Sequence, residues 1–332
     1  MATTLTLTND ADTGLLKSRL QGLGLWPEIH RDDQGQAGAI LLKSHSQPVA
    51  LSVLEDLPGV AAVLKHTSAH PLLDAQAKAS ITLTRGTLRV DIGGSATPIV
   101  AAGPCAVESE EQIHAAADIV ALSGAKLLRG GAFKPRTSPY DFAGHGRPAL
   151  QWLRQAADAK GLLVVSEILS ERDIEGGVEL IDLVQVGSRN MSNFALLHAL
   201  GRAGSTVLLK RGVAATLKEW RLAAEHTLHA GAKGVIFCER GIKGFDPETR
   251  NTLDLSAVAL LSSEGHSVMV DPSHGVGRRD LVVPMSRAAL ALGCAGLLVE
   301  AHPKANEALS DGPQALNTQE LRGLVQTSLE GR

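Results

Sequence analysis

Residues 126–133 read "KLLRGGAF": two leucines close a short apolar run, a permanent cation follows, and two glycines bend the chain away. A near-continuous apolar run marks a strand buried on both faces, as in a parallel sheet covered by helices. The same order of events recurs from about residue 97 onward. "PIVAAGPC" (98–105), "KLLRGGAF", "LLVVSEIL" (162–169), "LVQVGSR" (183–189), "TVLLKRG" (206–212), "GVIFCER" (234–240), "SVMVDPSH" (267–274) and "AGLLVEAH" (295–302) make eight such runs. Each leads into a polar or glycine-bearing turn and then a helical pattern. Ser109 with Gln112 and Thr216 with Glu219 read as capping boxes, and Gly124 and Gly231 as helix stops. Phe194, Leu197 and Gly201 keep helical spacing. Eight βα units point to a TIM (β/α)8 barrel. A doubly wound sheet is the second choice, but its glycine fingerprint after the first strand is missing.

The first 75 residues follow another pattern. "TLTLTN" (4–9) alternates as a strand does, and Leu16, Leu20 and Leu23 share a helical face. Residues 26–43 read as two strands around a polar turn, 48–59 as a helix and 60–66 as a strand. That order is βαββαβ, a ferredoxin-like module. "ITLTRGTLRVDIG" (81–93) reads as a hairpin turning at Arg85–Gly86, expected to cap the barrel's N-terminal face. The expected division is 1–78 for the ferredoxin-like domain, 79–96 for the hairpin lid and 97–332 for the barrel.

Composition removes several function classes. A net charge of −3 argues against a general polyanion binder, and five Phe, three Trp and one Tyr are too few for base-stacking platforms. The opening "MATTLTLTND" has no basic segment followed by an apolar stretch, and no run is long enough to span a bilayer. Three separated cysteines suit a reducing compartment, so a cytoplasmic protein is expected. Cys238 and Cys294 read as core residues, His145 and His266 as surface residues, and His302 as ambiguous.

In a TIM barrel the chemistry sits at the C-terminal ends of the strands. Those ends carry Cys105, Arg129, Glu167, Arg189, Lys210, Arg240, His274 and Glu300. With Lys134 and Arg136, six cations converge on one mouth, where they repel unless a multiply charged anion binds. Arginine forks match carboxylate and phosphate oxygens, and lysines add point charges. Substrates carrying phosphate, and more than one anionic group, are expected. Cys105, His274, Glu300 and Asp311 form a thiolate, imidazole and carboxylate set suited to Zn, Fe(II), Mn or Co. By spacing alone they fit equally a cysteine nucleophile with scattered ion pairs.

These motifs carry a resemblance. "AGPCAVES", "LLRGGAFKPRTSPYDFAG", "QVGSRNMSNF", "LLKRG", "CERGIKGFDPETRNTLDLSAV", "VDPSHGVGRRDLV" and "GLLVEAHP" with "ALSDGPQAL" run in order between about Pro98 and Leu316. The sequence resembles the 3-deoxy-D-arabino-heptulosonate 7-phosphate (DAHP) synthases, in the compact-barrel class with an N-terminal ferredoxin-like domain. The resemblance implies condensation of phosphoenolpyruvate with erythrose 4-phosphate and release of phosphate, the entry to the shikimate pathway. It implies that Cys105, His274, Glu300 and Asp311 hold a divalent metal ion (Mn, Fe, Co or Zn). It implies that Arg129, Lys134, Ser188, Arg189, Lys210 and Arg240 hold phosphoenolpyruvate, and that Lys134, Pro135, Arg136 and Thr137 receive the sugar phosphate. Lys134, Glu167, His274 and Cys105 would carry the chemistry, with Glu167 near the attacking water. A homotetramer is expected, with an aromatic amino acid as effector at the N-terminal domain. The sister 3-deoxy-D-manno-octulosonate 8-phosphate synthases use arabinose 5-phosphate and carry Asn-Arg-Ser in place of "KPRT". Departures are mild: Ser166 where Thr is usual, and "SRN" where "ARN" is common.

Overall fold

The computed structural model describes residues 3–31, 35–65, 68–135 and 138–330. Its contacts divide into two units, Met1–Ala69 and His70–Arg332. The first unit runs β1 (Thr3–Leu7), α1 (Thr13–Gly22), β2 (Leu25–Arg31), β3 (Ala37–His45), α2 (Leu51–Glu55) and β4 (Val60–Lys65). Its four strands form an antiparallel sheet in the order β2-β3-β1-β4. Period-two alternation in β1 and helical spacing in α1 put Leu5, Leu16, Leu20, Ile40 and Leu54 in one core. Asp12 caps α1, accepting from the backbone N–H groups of Gly14 and Leu15.

The second unit opens with α3 (Pro71–Gln76), which the sequence reading assigned to the N-terminal module. Two sets of hydrogen bonds fix it in the barrel unit. The Glu225 carboxylate accepts from the N–H groups of Leu72 and Leu73 (3.0 and 2.9 Å), filling the open end of the helix. Gln76 exchanges two hydrogen bonds with the Val235 backbone. The hairpin follows as β5 (Ile81–Arg85) and β6 (Leu88–Ile92).

The eight apolar runs become β7 (Ile99–Gly103), β8 (Leu127–Arg129), β9 (Leu163–Glu167), β10 (Leu183–Val186), β11 (Thr206–Lys210), β12 (Gly234–Glu239), β13 (Val268–Val270) and β14 (Gly296–Glu300). All neighbours pair in parallel, and β14 closes on β7 to complete a barrel. The helices between and after them are α4 (Glu110–Ser123), α5 (Arg147–Lys160), α6 (Phe194–Arg202), α7 (Leu217–His229), α8 (Leu255–Ser263), α9 (Pro272–Val276), α10 (Arg279–Ala291) and α11 (Thr318–Glu330). Thr216 and Glu219 form a full capping box on α7. At α4 the box is half made: Ser109 accepts from the Gln112 N–H, but the Gln112 side chain turns to Glu108 and Ala106. No helix among the described residues is long and apolar enough to cross a membrane.

Strand alternation separates two apolar layers. Leu128, Val164, Val184, Leu209, Phe237 and Val299 point outward and pack under the helices. Leu127, Leu163, Val165, Leu183, Leu208, Ile236 and Leu298 point inward, and Ile81, Leu83 and Ile92 of the hairpin join that inner cluster. Cys238 and Cys294 are buried as expected, whereas His266, expected at the surface, is buried against Phe237 just before β13.

Candidate active site

The same alternation decides what reaches the mouth. Leu127 points in, Leu128 out and Arg129 in; Val165 in, Ser166 out and Glu167 in; Leu208 in, Leu209 out and Lys210 in; Leu298 in, Val299 out and Glu300 in. By that parity Gln185 and Asp271 also belong to the inner row. Sequence reasoning passed over both: Gln185 carries no charge, and Asp271 was set aside for His274 three residues on. Arg189 and His274 are therefore not strand-end residues. Arg189 lies in a turn at Ser188–Asn190, and His274 in the short helix α9.

A cavity of about 220 Å³ lies at this end of the barrel. Ten residues expected from the sequence meet around it: Arg129, Lys134, Pro135, Glu167, Ser188, Arg189, Lys210, Arg240, His274 and Asp311. Asp141, Gln185, Gly187 and Arg250 line it as well. Arg136 and Thr137 lie outside the described residues. Glycine is required at two points. A Cβ at Gly103 would meet the Arg129 carbonyl oxygen at 2.1 Å, and one at Gly187 would meet Glu167 Oε1 at 2.0 Å. The first lets β7 turn toward Cys105, and the second leaves room for the Glu167 carboxylate.

Beside the cavity, Cys105 Sγ, a His274 ring nitrogen and carboxylate oxygens of Glu300 and Asp311 all lie within 4.8 Å of one another. Cys105 Sγ is 3.0 Å from Asp311 Oδ2, and His274 Nε2 is 3.2 Å from Glu300 Oε1. Burial pushes the Cys105 thiol up to about 12, with the Glu300 charge adding to it. Burial also lowers His274, which keeps the imidazole neutral with a lone pair to offer. For Asp311, burial is overcome by His274 and the Cys105 hydrogen bond, which hold it at about 2. One thiol, one neutral imidazole and two carboxylates converging on one point fit a divalent ion of borderline softness.

Each of these groups has a cationic or polar neighbour. Arg129 donates to Glu300 Oε1 at 2.9 Å, and Lys134 Nζ lies 2.9 Å from Cys105 Sγ. Arg250, which the sequence reading did not single out, donates to Asp311 Oδ1 at 3.0 Å. Gln314 donates to Glu300 Oε2 at 2.5 Å. Asp271 accepts from Lys210 at 2.5 Å and from His274 Nδ1 at 2.7 Å. Gln185 donates to Glu167 Oε2 at 3.0 Å. Buried Arg211 bridges Glu239 and Asp254 (3.0 and 2.8 Å), tying the end of β11 to the end of β12 beside Lys210 and Arg240. A buried charge survives only when paired and hydrogen-bonded in this way. His302 stays apart from the cluster: its Nδ1 accepts from the Lys304 N–H and its Nε2 lies 3.6 Å from Glu108.

A closed (β/α)8 barrel whose mouth joins a cation-lined cavity to a thiol, imidazole and carboxylate cluster defines a barrel enzyme for multiply anionic substrates. The profile of the DAHP synthetase I family matches residues 73–330, and the chain belongs to that family. A phospho-2-dehydro-3-deoxyheptonate aldolase of Thermotoga maritima is 49% identical over 238 residues, covering 71% of this chain and 70% of that protein. The crystal structure of the DAHP synthase of that organism superimposes with a TM-score of 0.75 at 36% identity, over 99% of this chain and 96% of that one. A 2-dehydro-3-deoxyphosphooctonate aldolase of Variovorax paradoxus is 30% identical, over 72% of this chain and 92% of that protein.

Proposed function

We propose that this protein condenses phosphoenolpyruvate with D-erythrose 4-phosphate and water, giving 3-deoxy-D-arabino-heptulosonate 7-phosphate and phosphate, the first step of the shikimate pathway. One observation carries the reading. The cations Arg129, Lys134, Arg189, Lys210 and Arg240 line the same cavity as His274 and Asp311 of the four-ligand cluster. The 49% identity to the Thermotoga enzyme supports the choice of reaction.

Arg129, Arg189, Lys210, Arg240 and Ser188 bind the phosphate and carboxylate of phosphoenolpyruvate. Lys134 and Pro135 face the sugar phosphate, with Arg136 and Thr137 assigned there by the "KPRT" motif. Holding two mutually repelling anions together is positioning combined with electrostatic preorganisation. Cys105, His274, Glu300 and Asp311 would hold a divalent ion, which when bound supplies Lewis acidity toward the aldehyde oxygen. The enol carbon of phosphoenolpyruvate attacks the aldehyde carbon, and Lys134 gives a proton to the developing alkoxide. Positive charge builds at the second carbon of phosphoenolpyruvate. Glu167, itself oriented by Gln185, takes a proton from the water that adds to that carbon. The C–O bond to phosphate then breaks as the new hydroxyl gives its proton to the leaving phosphate, and the proton on Glu167 restores Lys134.

The N-terminal unit is read as a ferredoxin-like regulatory module binding an aromatic amino acid, and the hairpin β5–β6 as the barrel's lid. The strand order β2-β3-β1-β4 supports the ferredoxin-like fold of that unit, and the packing of Ile81, Leu83 and Ile92 in the barrel's inner cluster supports the lid. A homotetramer acting in the cytoplasm completes the proposal. The deciding assay compares erythrose 4-phosphate with arabinose 5-phosphate: faster turnover with the five-carbon sugar would transfer the chain to the sister reaction. Phe or Tyr should inhibit the full chain but not one starting at His70. Equal response of both chains would leave the module without a regulatory role.

A further inference from the structure

Four pairings join cations that line the cavity to the cluster, and one differs from the rest. Arg129 meets Glu300, Lys134 meets Cys105 and Arg250 meets Asp311 directly. Between Lys210 and His274 stands a carboxylate that is neither ligand nor cation. Asp271 is 1% exposed, and its Oδ2 accepts both from Lys210 Nζ and from His274 Nδ1. Its other oxygen accepts from the His274 backbone N–H at 2.9 Å, and its own N–H donates to the Glu239 carbonyl at 2.8 Å. The carboxylate is thus pinned on three sides, and one oxygen is shared by two donors from the two halves of the site.

We propose that Asp271 is a positioning residue that couples the anion cradle to the four-ligand cluster, so that filling either one tightens the other. This rests on the reading of the site given above. When an anion takes up the charge of Lys210, Oδ2 is left as a stronger acceptor for the His274 Nδ1–H. A more strongly held Nδ1–H makes Nε2 more electron-rich and a better ligand. In the other direction, once His274 gives its Nε2 pair to a cation, its Nδ1–H becomes a stronger donor and draws on the same oxygen. Lys210 is then freer to engage the anion. Coupling of binding free energies is reciprocal.

The test uses Mn²⁺ as the metal and phosphoenolpyruvate as the anion, with no sugar phosphate present. Paramagnetic resonance of free Mn²⁺ gives its dissociation constant on the metal-stripped full chain, with and without saturating phosphoenolpyruvate. In the wild type the anion should tighten Mn²⁺ by about tenfold, within the usual range of coupling. In Asp271→Asn and in Asp271→Glu the ratio should fall to about threefold or less. Asp271→Glu keeps the charge and so leaves through-space attraction unchanged; it also serves if Asp271→Asn does not fold. A purely structural role would weaken binding but leave the ratio as it was. A wild-type ratio of one, or an unchanged ratio in folded variants, overturns the proposal. A wild type that binds neither Mn²⁺ nor, by equilibrium dialysis, Co²⁺ or Zn²⁺ overturns the reading of the cluster itself, and the coupling with it.

Discussion

The two ends of one barrel are built from the same strands with opposite chemistry. On β8, Leu127 faces the inner apolar cluster with Ile81 and Ile92, while Arg129, two residues on, faces the cavity. The rise between them is only about 6.6 Å. Both are buried, Leu127 at 0% exposure and Arg129 at 4%. Burial therefore does not separate the two ends; what fills the buried space does. The floor is closed by apolar side chains, whose removal from water needs no partner. The mouth is closed by paired charges, Arg129 with Glu300 and Lys210 with Asp271, which hold their places because each has its counterpart. One end is packed with apolar side chains, and the other holds its charges in fixed, paired positions around the cavity.

The contrast breaks if substitutions at the two ends do the same thing. The largest expected effect is at the mouth: stripping the enzyme with a chelator should lower turnover on the order of 10³-fold, with recovery on adding Mn²⁺. Full activity in stripped protein would remove the metal from the reaction. Next, Lys134→Ala should cost about 10²–10⁴ in kcat with little change in the unfolding midpoint, as loss of a proton donor would. Near-normal turnover would take Lys134 out of the chemistry. At the floor the expectation reverses. Ile92→Ala should cost about 2–5 kcal/mol of stability by denaturant unfolding, with kcat within about twofold of wild type. A matching loss of turnover would mean that floor and mouth are not independent.

The smallest effect sharpens the floor alone. Burial lowers His266 from its ordinary 6.5, so the unfolded chain takes up a proton first as the solution is acidified. Stability is full above about pH 6.5 and falls as pH drops toward the folded value. His266→Gln should flatten the fall of the unfolding midpoint below pH 6.5 and leave the pH profile of kcat unchanged. An unaltered slope would assign the acid sensitivity to other groups.

The eight runs were legible because strands covered on both faces must be apolar along their length, and nothing outside those segments is needed to see it. Much of the site was legible for a related reason. Arg129, Glu167, Lys210 and Glu300 end their runs at the inward parity, so linear order and orientation agree. Gln185 and Asp271 follow the same parity but went unnoticed, one being uncharged and the other standing before a more conspicuous histidine. His266 was misplaced because a histidine beside a serine reads as polar surface until Phe237 packs against it. Arg250 and Arg211 carried no local signal: their partners Asp311, Glu239 and Asp254 lie 61, 28 and 43 residues away. The sequence by itself determined the strands, the barrel and which ionisable groups gather at one end, since these follow from local hydrophobic period and chain order. Only the tertiary structure decided which cation faces which member of the four-residue cluster, that α3 belongs with the barrel, and that one oxygen of Asp271 serves two donors, because those pairings exist only once closure brings distant strand ends together.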